Sequence, residues 1–173
     1  MEAPEYRRVI QIAGEEVTIR TIRPSDREIE AEFVRRLSPD SRFLRFQNVV
    51  SELKPDMLER FISPDFPDEM ALIAVIEEDG KSKQIGVVRY SREDEDPKTV
   101  EVAIAVADEW QGKGLGAALL GDLGDVAKTV GVEKFVARIL PENHRMRNLA
   151  LRNGFYVISA KYEEGIMELG KGI

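Results

Sequence analysis

The spacing of apolar positions changes repeatedly along the chain, and each change predicts a new secondary-structure element. Strict alternation over residues 17–22 is typical of a strand with one buried face, whereas the nearly continuous apolar run at 70–77 indicates a buried strand. Apolar side chains three and four residues apart indicate helices. The predicted strands cover residues 8–12, 17–22, 70–77, 84–92, 99–106, 134–140, 155–162 and 165–169, and the predicted helices cover 25–37, 54–62, 114–130 and 143–153, with a further turn-to-helix signal at 38–41.

Turn and stop residues separate these elements. Asp79 and Gly80 begin a turn between two strands that we expect to form an antiparallel hairpin, with a turn longer than the tightest type. Gly131 is expected to end the longest helix. Gly121 and Gly124 lie inside that helix and each cost it about 1 kcal/mol relative to alanine, so we expect close packing or mobility there. Because helices and strands do not alternate strictly, the sequence predicts an α/β (α+β) fold with a mixed sheet.

A glycine-rich turn at residues 111–116, with the sequence QGKGLG, is the strongest candidate for a binding site. It follows the predicted strand 99–106 and opens the predicted helix 114–130. Glycine lets backbone N–H groups approach a phosphate without a Cβ in the way, and a helix N-terminus adds unpaired N–H groups and the positive end of the helix dipole. The pattern therefore predicts a site for a phosphorylated ligand, with an ordinary strand-to-helix turn as the alternative.

Composition and charge exclude several kinds of site. The 173-residue chain has a formal charge of −7 and no long basic run, which argues against nucleic acid as a partner and is compatible with a cationic substrate. It contains no cysteine and a single histidine, His144, so thiolate or histidine metal clusters and a cysteine nucleophile are excluded. The N-terminal residues lack the apolar core of a signal peptide and no apolar run reaches membrane length, so we expect a cytoplasmic protein without a metal or a membrane partner.

Two motifs together resemble those of the GNAT acyltransferase superfamily. The strand that ends with residues 104–106 (IAV) precedes Gln111, Gly114 and Gly116, which satisfy the superfamily's acyl-CoA-binding pattern (Arg/Gln)-x-x-Gly-x-(Gly/Ala). Farther along, residues 142–155 resemble the second signature, in which a helix begins at an asparagine and closes on Gly-Phe. The resemblance implies a mostly antiparallel sheet with splayed central strands, flanked by helices. It further implies one acyltransferase domain over residues 1–173, with a polar N-terminal segment at 1–16.

Acetyl-CoA is the cosubstrate that this resemblance implies. Backbone groups of the glycine turn would hold its pyrophosphate, with Lys113 adding charge, and the strand before the turn would line the pantetheine arm. Asn143 would contact the same arm, although capping of its own helix explains an asparagine there equally well. The residues assigned to CoA in this way are Ile104, Ala105, Val106, Gln111, Gly112, Lys113, Gly114, Leu115, Gly116 and Asn143.

A narrower resemblance concerns the acceptor. Segments 41–46, 58–61, 70–75 and 101–104 look like the acyltransferase domain of bacterial protein-lysine acetyltransferases. That domain is often fused to nucleotide-binding or acyl-CoA-synthetase-like domains and acetylates a lysine on acyl-CoA synthetases. The resemblance implies that this chain acetylates an amine, with a protein lysine as the best candidate. A small-molecule amine or amino-acid acetyltransferase and a non-catalytic acyl-CoA-binding sensor remain alternatives, as do a monomer and a homodimer.

Glu101 is the best candidate for a general base. A carboxylate on an otherwise apolar strand is costly unless it is used or paired, and an apolar cleft would make it a better base. Its position also matches the catalytic glutamate of the protein-lysine acetyltransferases. The alternatives are a solvent-facing residue and a partner of Arg89. Ala150 stands where many superfamily members have a tyrosine that protonates the leaving thiolate, so that donor is in doubt.

A short aromatic and arginine-rich segment, residues 42–46 (RFLRF), has two possible roles. It could shape the entrance for the acceptor, or its two phenylalanines, three residues apart, could lie in the core with the arginines outside. The spacing favours the core.

Overall fold

A computed structural model of the chain describes residues 1–48, 50–161 and 164–173. None of the helices in these stretches combines the length and apolar composition needed to cross a bilayer. The strands are β1 (Arg7–Ile12), β2 (Glu15–Thr21), β3 (Glu69–Glu78), β4 (Lys81–Arg92), β5 (Thr99–Val106), β6 (Lys134–Ile139), β7 (Tyr156–Lys161) and β8 (Ile166–Gly172), and the helices are α1 (Arg27–Arg36), α2 (Pro39–Phe46), α3 (Pro55–Ile62), α4 (Leu115–Lys128) and α5 (His144–Arg152).

The strands form one mixed sheet in the order β1-β2-β3-β4-β5-β6-β8-β7. All neighbouring strands are antiparallel except β5 and β6, which are parallel. The predicted mixed, mostly antiparallel sheet is therefore confirmed. The end of the predicted strand 155–162 lies outside the described residues, as does Tyr162.

Helices pack on both faces of this sheet, and β4 shows how the two faces are divided. A Cβ at Gly86 would lie 3.1 Å from Leu119 of α4. Arg89, an odd number of residues farther along the strand and so on the other face, instead meets Glu30 of α1. The face under α4 is apolar and closely packed, with Leu115, Leu119 and Leu123 fully buried. The face under α1 combines buried apolar side chains, such as Phe33 and Val87, with the charged pair of Glu30 and Arg89.

In two hairpins the strands are longer than the spacing of apolar residues predicts, because polar residues continue them. The turn between β3 and β4 contains only Asp79 and Gly80, both at positive φ (53° and 73°), so the prediction of a longer turn is wrong. Apolar periodicity stops short of this turn because the strands end in an exposed Glu/Lys-rich ladder that pairs Glu78 with Lys81. At the sheet edge, β1 pairs fully with β2, and Arg8 donates to Asp122 of α4 at 2.7 and 3.0 Å.

The glycines inside α4 do not all have the same environment. Gly121 is exposed, and a Cβ placed there would meet nothing within 4 Å, so the close packing expected at this position is absent. A Cβ at Gly124 would lie 4.0 Å from Phe135, an ordinary contact. Close approach is found at Gly116 in the first turn, where a Cβ would lie 2.8 Å from Leu149 of α5. The tight position of this helix is therefore at its N-terminus, next to the glycine turn.

Candidate active site

The central strands β5 and β6 separate at the position where the site lies. They pair only through residues 99–101 of β5 and 134–136 of β6, whereas β4 stays paired with the other edge of β5 as far as Val106. Past residue 101, the β5 edge that faces β6 therefore has no strand partner among the described residues. Ile104, Ala105 and Val106 lie along this open edge, and such an edge suits an extended ligand that pairs as an added strand.

The glycine turn after β5 presents backbone N–H groups at the start of α4. Gly112 and Gly114 have φ of +74° and +93°, in the left-handed region where a side chain is strained. Gly114 is the N-cap of α4 and no side chain caps the helix, so its first N–H groups are available to an anion. Lys113 Nζ lies 5.3 Å from the centre of the Trp110 ring, which keeps a positive charge beside the turn.

Gly116 and Leu115 contribute through their backbone and their packing. A Cβ at Gly116 would lie 2.8 Å from Leu149 and 3.7 Å from Ile104, so an added side chain there would displace Leu149. The Leu115 side chain is fully buried in the core. Only its backbone N–H can therefore take part in a ligand site.

The side chain of Gln111 connects the turn to its neighbours. Its Nε2 donates to the Val106 carbonyl at 3.0 Å, and its Oε1 accepts a hydrogen bond from Arg145 of α5. These bonds fix the turn relative to the end of β5 and to the start of α5. The Gln111 side chain thus positions the turn, and its backbone remains the part that could face a ligand.

Asp108, just before the turn, holds the N-terminus of α2. It accepts hydrogen bonds from the Ser38 backbone N–H and the Ser41 hydroxyl, both at 3.0 Å. Burial raises the pKa of Asp108, but these hydrogen bonds from Ser38 and Ser41 outweigh that effect and hold the pKa below its ordinary value. These hydrogen bonds tie the N-terminus of α2 to the segment just before the glycine turn.

Asn143 caps α5, as the alternative interpretation of this residue expects. Its Oδ1 accepts a hydrogen bond from the Met146 backbone N–H at 3.2 Å, and the residue is buried. Contact between Asn143 and CoA stays a prediction. In the same helix Ala150, which stands where the superfamily resemblance leads us to look for a tyrosine, is small and only 2% exposed.

Among the residues that the structure describes, no other tyrosine is suited to protonate a leaving thiolate. Tyr90 lies in the neighbouring cleft, but its hydroxyl donates to the Pro67 carbonyl at 3.0 Å. Burial raises the pKa of Tyr90 to about 12, so it is a poor acid. Tyr156 is 53% exposed on the edge strand β7, and Tyr6 packs by the N-terminal hairpin.

Glu101 lies where β5 and β6 begin to separate, and its surroundings are more polar than expected. Its side chain is 41% exposed and accepts a hydrogen bond from Arg138 of β6, so neither the apolar cleft nor the pairing with Arg89 is found. Arg138 also contacts Glu93 at 2.6 Å and Glu168 at 3.0 Å. The hydrogen bond that Arg138 donates to Glu93 raises the pKa of Arg138 above its ordinary value. One cation among three carboxylates leaves a net negative site that favours an approaching ammonium group.

A cleft of about 250 Å³ adjoins Glu101 on the face of the sheet that bears α2 and α3. Glu101 and Ala103 line it from β5, Arg45 from α2, Phe61 from α3 and Arg89 from β4. The segment 42–46 thus borders the cleft. The core placement that its spacing favoured is wrong for Phe43, which is 41% exposed.

A buried charge network supports this cleft, and sequence reasoning missed it. Glu30 of α1 is 1% exposed and accepts hydrogen bonds from Arg89 at 2.7 Å and Gln84 at 2.5 Å. Arg89 also donates to the Phe61 carbonyl at 2.6 Å, and its guanidinium lies 4.2 Å from the centre of the Phe61 ring. A signal was available, because Glu30 falls on the same helical stripe as Phe33, and Arg89 stands within an apolar strand.

Alanine should have opposite effects at Gly114, the N-cap of α4, and at Gly121, inside the same helix. Gly114→Ala places a side chain at φ +93° and should cost roughly 1–2 kcal/mol in the turn, so the KM for acetyl-CoA should rise about tenfold. Gly121→Ala, the matched control, replaces an exposed helical glycine with free space around it and should increase the free energy of unfolding by up to about 1 kcal/mol. Steady-state kinetics and urea denaturation measure both. An unchanged KM in Gly114→Ala would argue against a phosphate site at this turn.

The chain is similar in sequence to known acetyltransferases. The family model for the acetyltransferase (GNAT) domain matches residues 16–156. Acetyltransferase PA5475 of Pseudomonas aeruginosa is 37% identical over 142 residues, which cover 82% of this chain and 76% of the relative. Acetyltransferase Pat of Mycolicibacterium smegmatis is 33% identical over 141 residues, which cover 82% of this chain and 41% of the relative.

Solved structures show the same similarity in three dimensions. The crystal structure of the GNAT domain of S. lividans PAT superposes with a TM-score of 0.87 at 27% identity, and the match covers 96% of this chain and 97% of that domain. The two chains therefore share one fold over nearly their full lengths.

Within the described residues, no group of three or more His, Cys, Asp or Glu side chains is arranged to hold a metal ion.

Proposed function

The chain belongs to the acetyltransferase (GNAT) domain family and is an acetyl-CoA-dependent acetyltransferase, and we propose that its acceptor is a lysine side chain of a protein. Acetyl transfer from a thioester has three requirements. The donor must be held, the amine must lose a proton, and the charge that develops on the carbonyl oxygen must be stabilised.

The donor follows the open edge of β5 in this proposal. The pyrophosphate binds the uncapped N–H groups at Gly114 and the start of α4, with Lys113 beside it. The pantetheine arm pairs with Ile104, Ala105 and Val106 and runs toward the point where β5 rejoins β6. About 17 Å of strand separates Val106 from Glu101, so the thioester end of an extended arm arrives near this carboxylate.

Glu101 is the general base in the proposed mechanism. It removes a proton from the acceptor ammonium group, directly or through one water molecule, and the free amine attacks the thioester carbon. The C–N bond forms, the C–S bond breaks, the second proton on the nitrogen passes to water, and CoA leaves as a thiolate. Because thiols ionise near pH 8.5, a thiolate leaves readily without a tyrosine donor, which accounts for Ala150. A backbone N–H on the open edge of β5 is placed to stabilise the carbonyl oxygen.

The observation that carries the lysine assignment is the negative cluster around Arg138, of which Glu101 lines the cleft. Three carboxylates against one guanidinium attract a cationic amine to Glu101. Exposed Arg60 lies at the rim, so the cleft opens to the surface and admits a side chain carried by another protein. The resemblance of segments 41–46 and 101–104 to bacterial protein-lysine acetyltransferases supports the same acceptor.

A small amine is the second candidate, because a cleft of about 250 Å³ also accommodates a free amine or amino acid. Release of CoA thiol, measured with lysine-containing peptides and with a panel of polyamines and free amino acids, separates the two. We expect kcat/KM for the best peptide to exceed that of every small amine by at least about tenfold, equivalent to 1.4 kcal/mol of transition-state binding. A small amine that reacts faster than every peptide would contradict the lysine assignment.

A further inference from the structure

Arg45 occupies an unusual position in the acceptor cleft. Its guanidinium lies over the rings of Phe46 and Phe61, 4.9 and 6.0 Å from their centres. Among the described residues, none accepts a hydrogen bond from it or pairs with it as an anion. Stacking fixes the plane of the guanidinium and leaves the N–H groups at its edge free, which is the geometry that binds a carboxylate through two parallel hydrogen bonds.

Arg45 is one of three arginines that line the cleft, together with Arg60 and Arg89. Burial, together with the nearby charge of Arg89, lowers the pKa of Arg45 to about 10. Three carboxylates lie nearby: Glu30 pairs with Arg89, Glu101 pairs with Arg138, and Glu69, which also lines the cleft, accepts a hydrogen bond from the Asp65 backbone N–H. Arg89 Nε is buried and has no hydrogen-bond partner either. A carboxylate that enters the cleft would pair with the free edge of the Arg45 guanidinium.

The phosphates of CoA are poorly placed to supply this anion. The N-terminus of α2 is the end attached to the glycine turn, through Ser38, Ser41 and Asp108. Arg45 lies in the last turn of the same helix, in the cleft that Glu101 and Ala103 line from β5. The cleft around Arg45 is therefore the acceptor side of the site, and an anion bound there would belong to the acceptor.

We propose that Arg45 binds a carboxylate of the acceptor, so that the enzyme selects amines that carry a carboxylate close to the reacting nitrogen. The proposal rests on the proposed function, in which Glu101 receives the ammonium group in the same cleft. The carboxylate belongs either to an aspartate or glutamate next to the target lysine or to the free α-carboxylate of an amino acid. Arg45 is then a specificity-determining residue at one end of the acceptor, and Glu101 acts at the other.

Two pairs of acceptors test this directly. One pair is a capped peptide with the sequence Lys-Asp and its Lys-Asn counterpart, and the other is Nα-acetyl-lysine and its amide. Binding to the CoA complex is measured by calorimetry in the wild type, Arg45→Met, Arg45→Lys and the exposed control Arg35→Met. Hydrogen bonds to charged groups contribute enough that the carboxylate member should bind about tenfold tighter or more in at least one pair.

Arg45→Met should abolish this preference, so that the two members of each pair bind with equal affinity. Arg45→Lys should keep part of the preference, and Arg35→Met all of it. Equal affinities within both pairs in the wild type, or a preference that survives in Arg45→Met, would overturn the proposal. A preference in the peptide pair assigns the carboxylate to a neighbouring acidic residue, and one confined to the other pair assigns it to an amino acid.

Turnover with the same peptides is a separate measurement. A peptide that binds in a carboxylate-dependent way without being acetylated would contradict the lysine acceptor and leave the role of Arg45 standing. If Arg45→Met does not fold, the comparison within wild-type pairs and the partial loss in Arg45→Lys still decide the proposal.

Discussion

Glu101→Gln is expected to lower kcat by about 10²- to 10⁴-fold, the usual contribution of a general base, with little change in the affinity for acetyl-CoA. Glutamine keeps the shape of the side chain and one hydrogen-bond acceptor for Arg138, so the fold should be preserved. It cannot accept the proton of the acceptor ammonium group. The loss should therefore appear in kcat at saturating acceptor concentrations, as expected for an interaction required only in the transition state.

The chain offers matched controls for this experiment. Glu93→Gln and Glu168→Gln remove the same charge from the same guanidinium, and their side chains are 28% and 29% exposed against 41% for Glu101. If the cluster only attracts the ammonium group, all three variants should raise the acceptor KM alike, and high salt should reduce the difference from wild type. If Glu101 is the base, it alone should lose kcat. Wild-type kcat in Glu101→Gln would exclude the assignment.

Sequence reasoning located the elements of the site because local chemistry determines them. The predicted bounds of β5, residues 99–106, agree with the structure. A charged loop precedes this strand and a glycine turn follows it, and both signals are independent of the rest of the fold. The N-cap of α5 at Asn143 was predicted for the same reason, since capping involves only residues within one helical turn.

The partners of the charged residues could not be predicted in this way. Glu101 and Arg138 are 37 positions apart, and Glu30 and Arg89 are 59 positions apart, so both pairings depend on which strands and helices become neighbours. The pattern argument that singled out Glu101 applies equally to Arg138, a charge within the apolar strand KFVARIL. A search for charges of opposite sign on apolar strands and helix stripes would have found all four residues without pairing them.

Glu30→Gln is expected to lower the free energy of unfolding by about 3–5 kcal/mol, the cost of removing one partner from a buried ion pair. Glu30 is 1% exposed, and its two carboxylate oxygens accept from Arg89 and Gln84. A glutamine has one oxygen for these two donors, so its NH₂ group must face one of them. Arg89 would remain buried without its anion, which is the larger part of the cost.

Urea denaturation of Glu30→Gln and of the exposed control Glu28→Gln measures this effect. The control makes the same change on the solvent face of α1 and should stay within about 0.5 kcal/mol of the wild type. Replacing both partners, as in Glu30→Leu with Arg89→Met, removes the unpaired charge, so the double variant should be more stable than the sum of the single losses predicts. Strict additivity, or a loss below about 1 kcal/mol in Glu30→Gln, would show that the pair does not act as a buried unit.

The Arg89→Met single variant should also lose acceptor binding, since Arg89 lines the cleft and lies against Phe61. The network therefore connects the stability of the fold to the shape of the acceptor site.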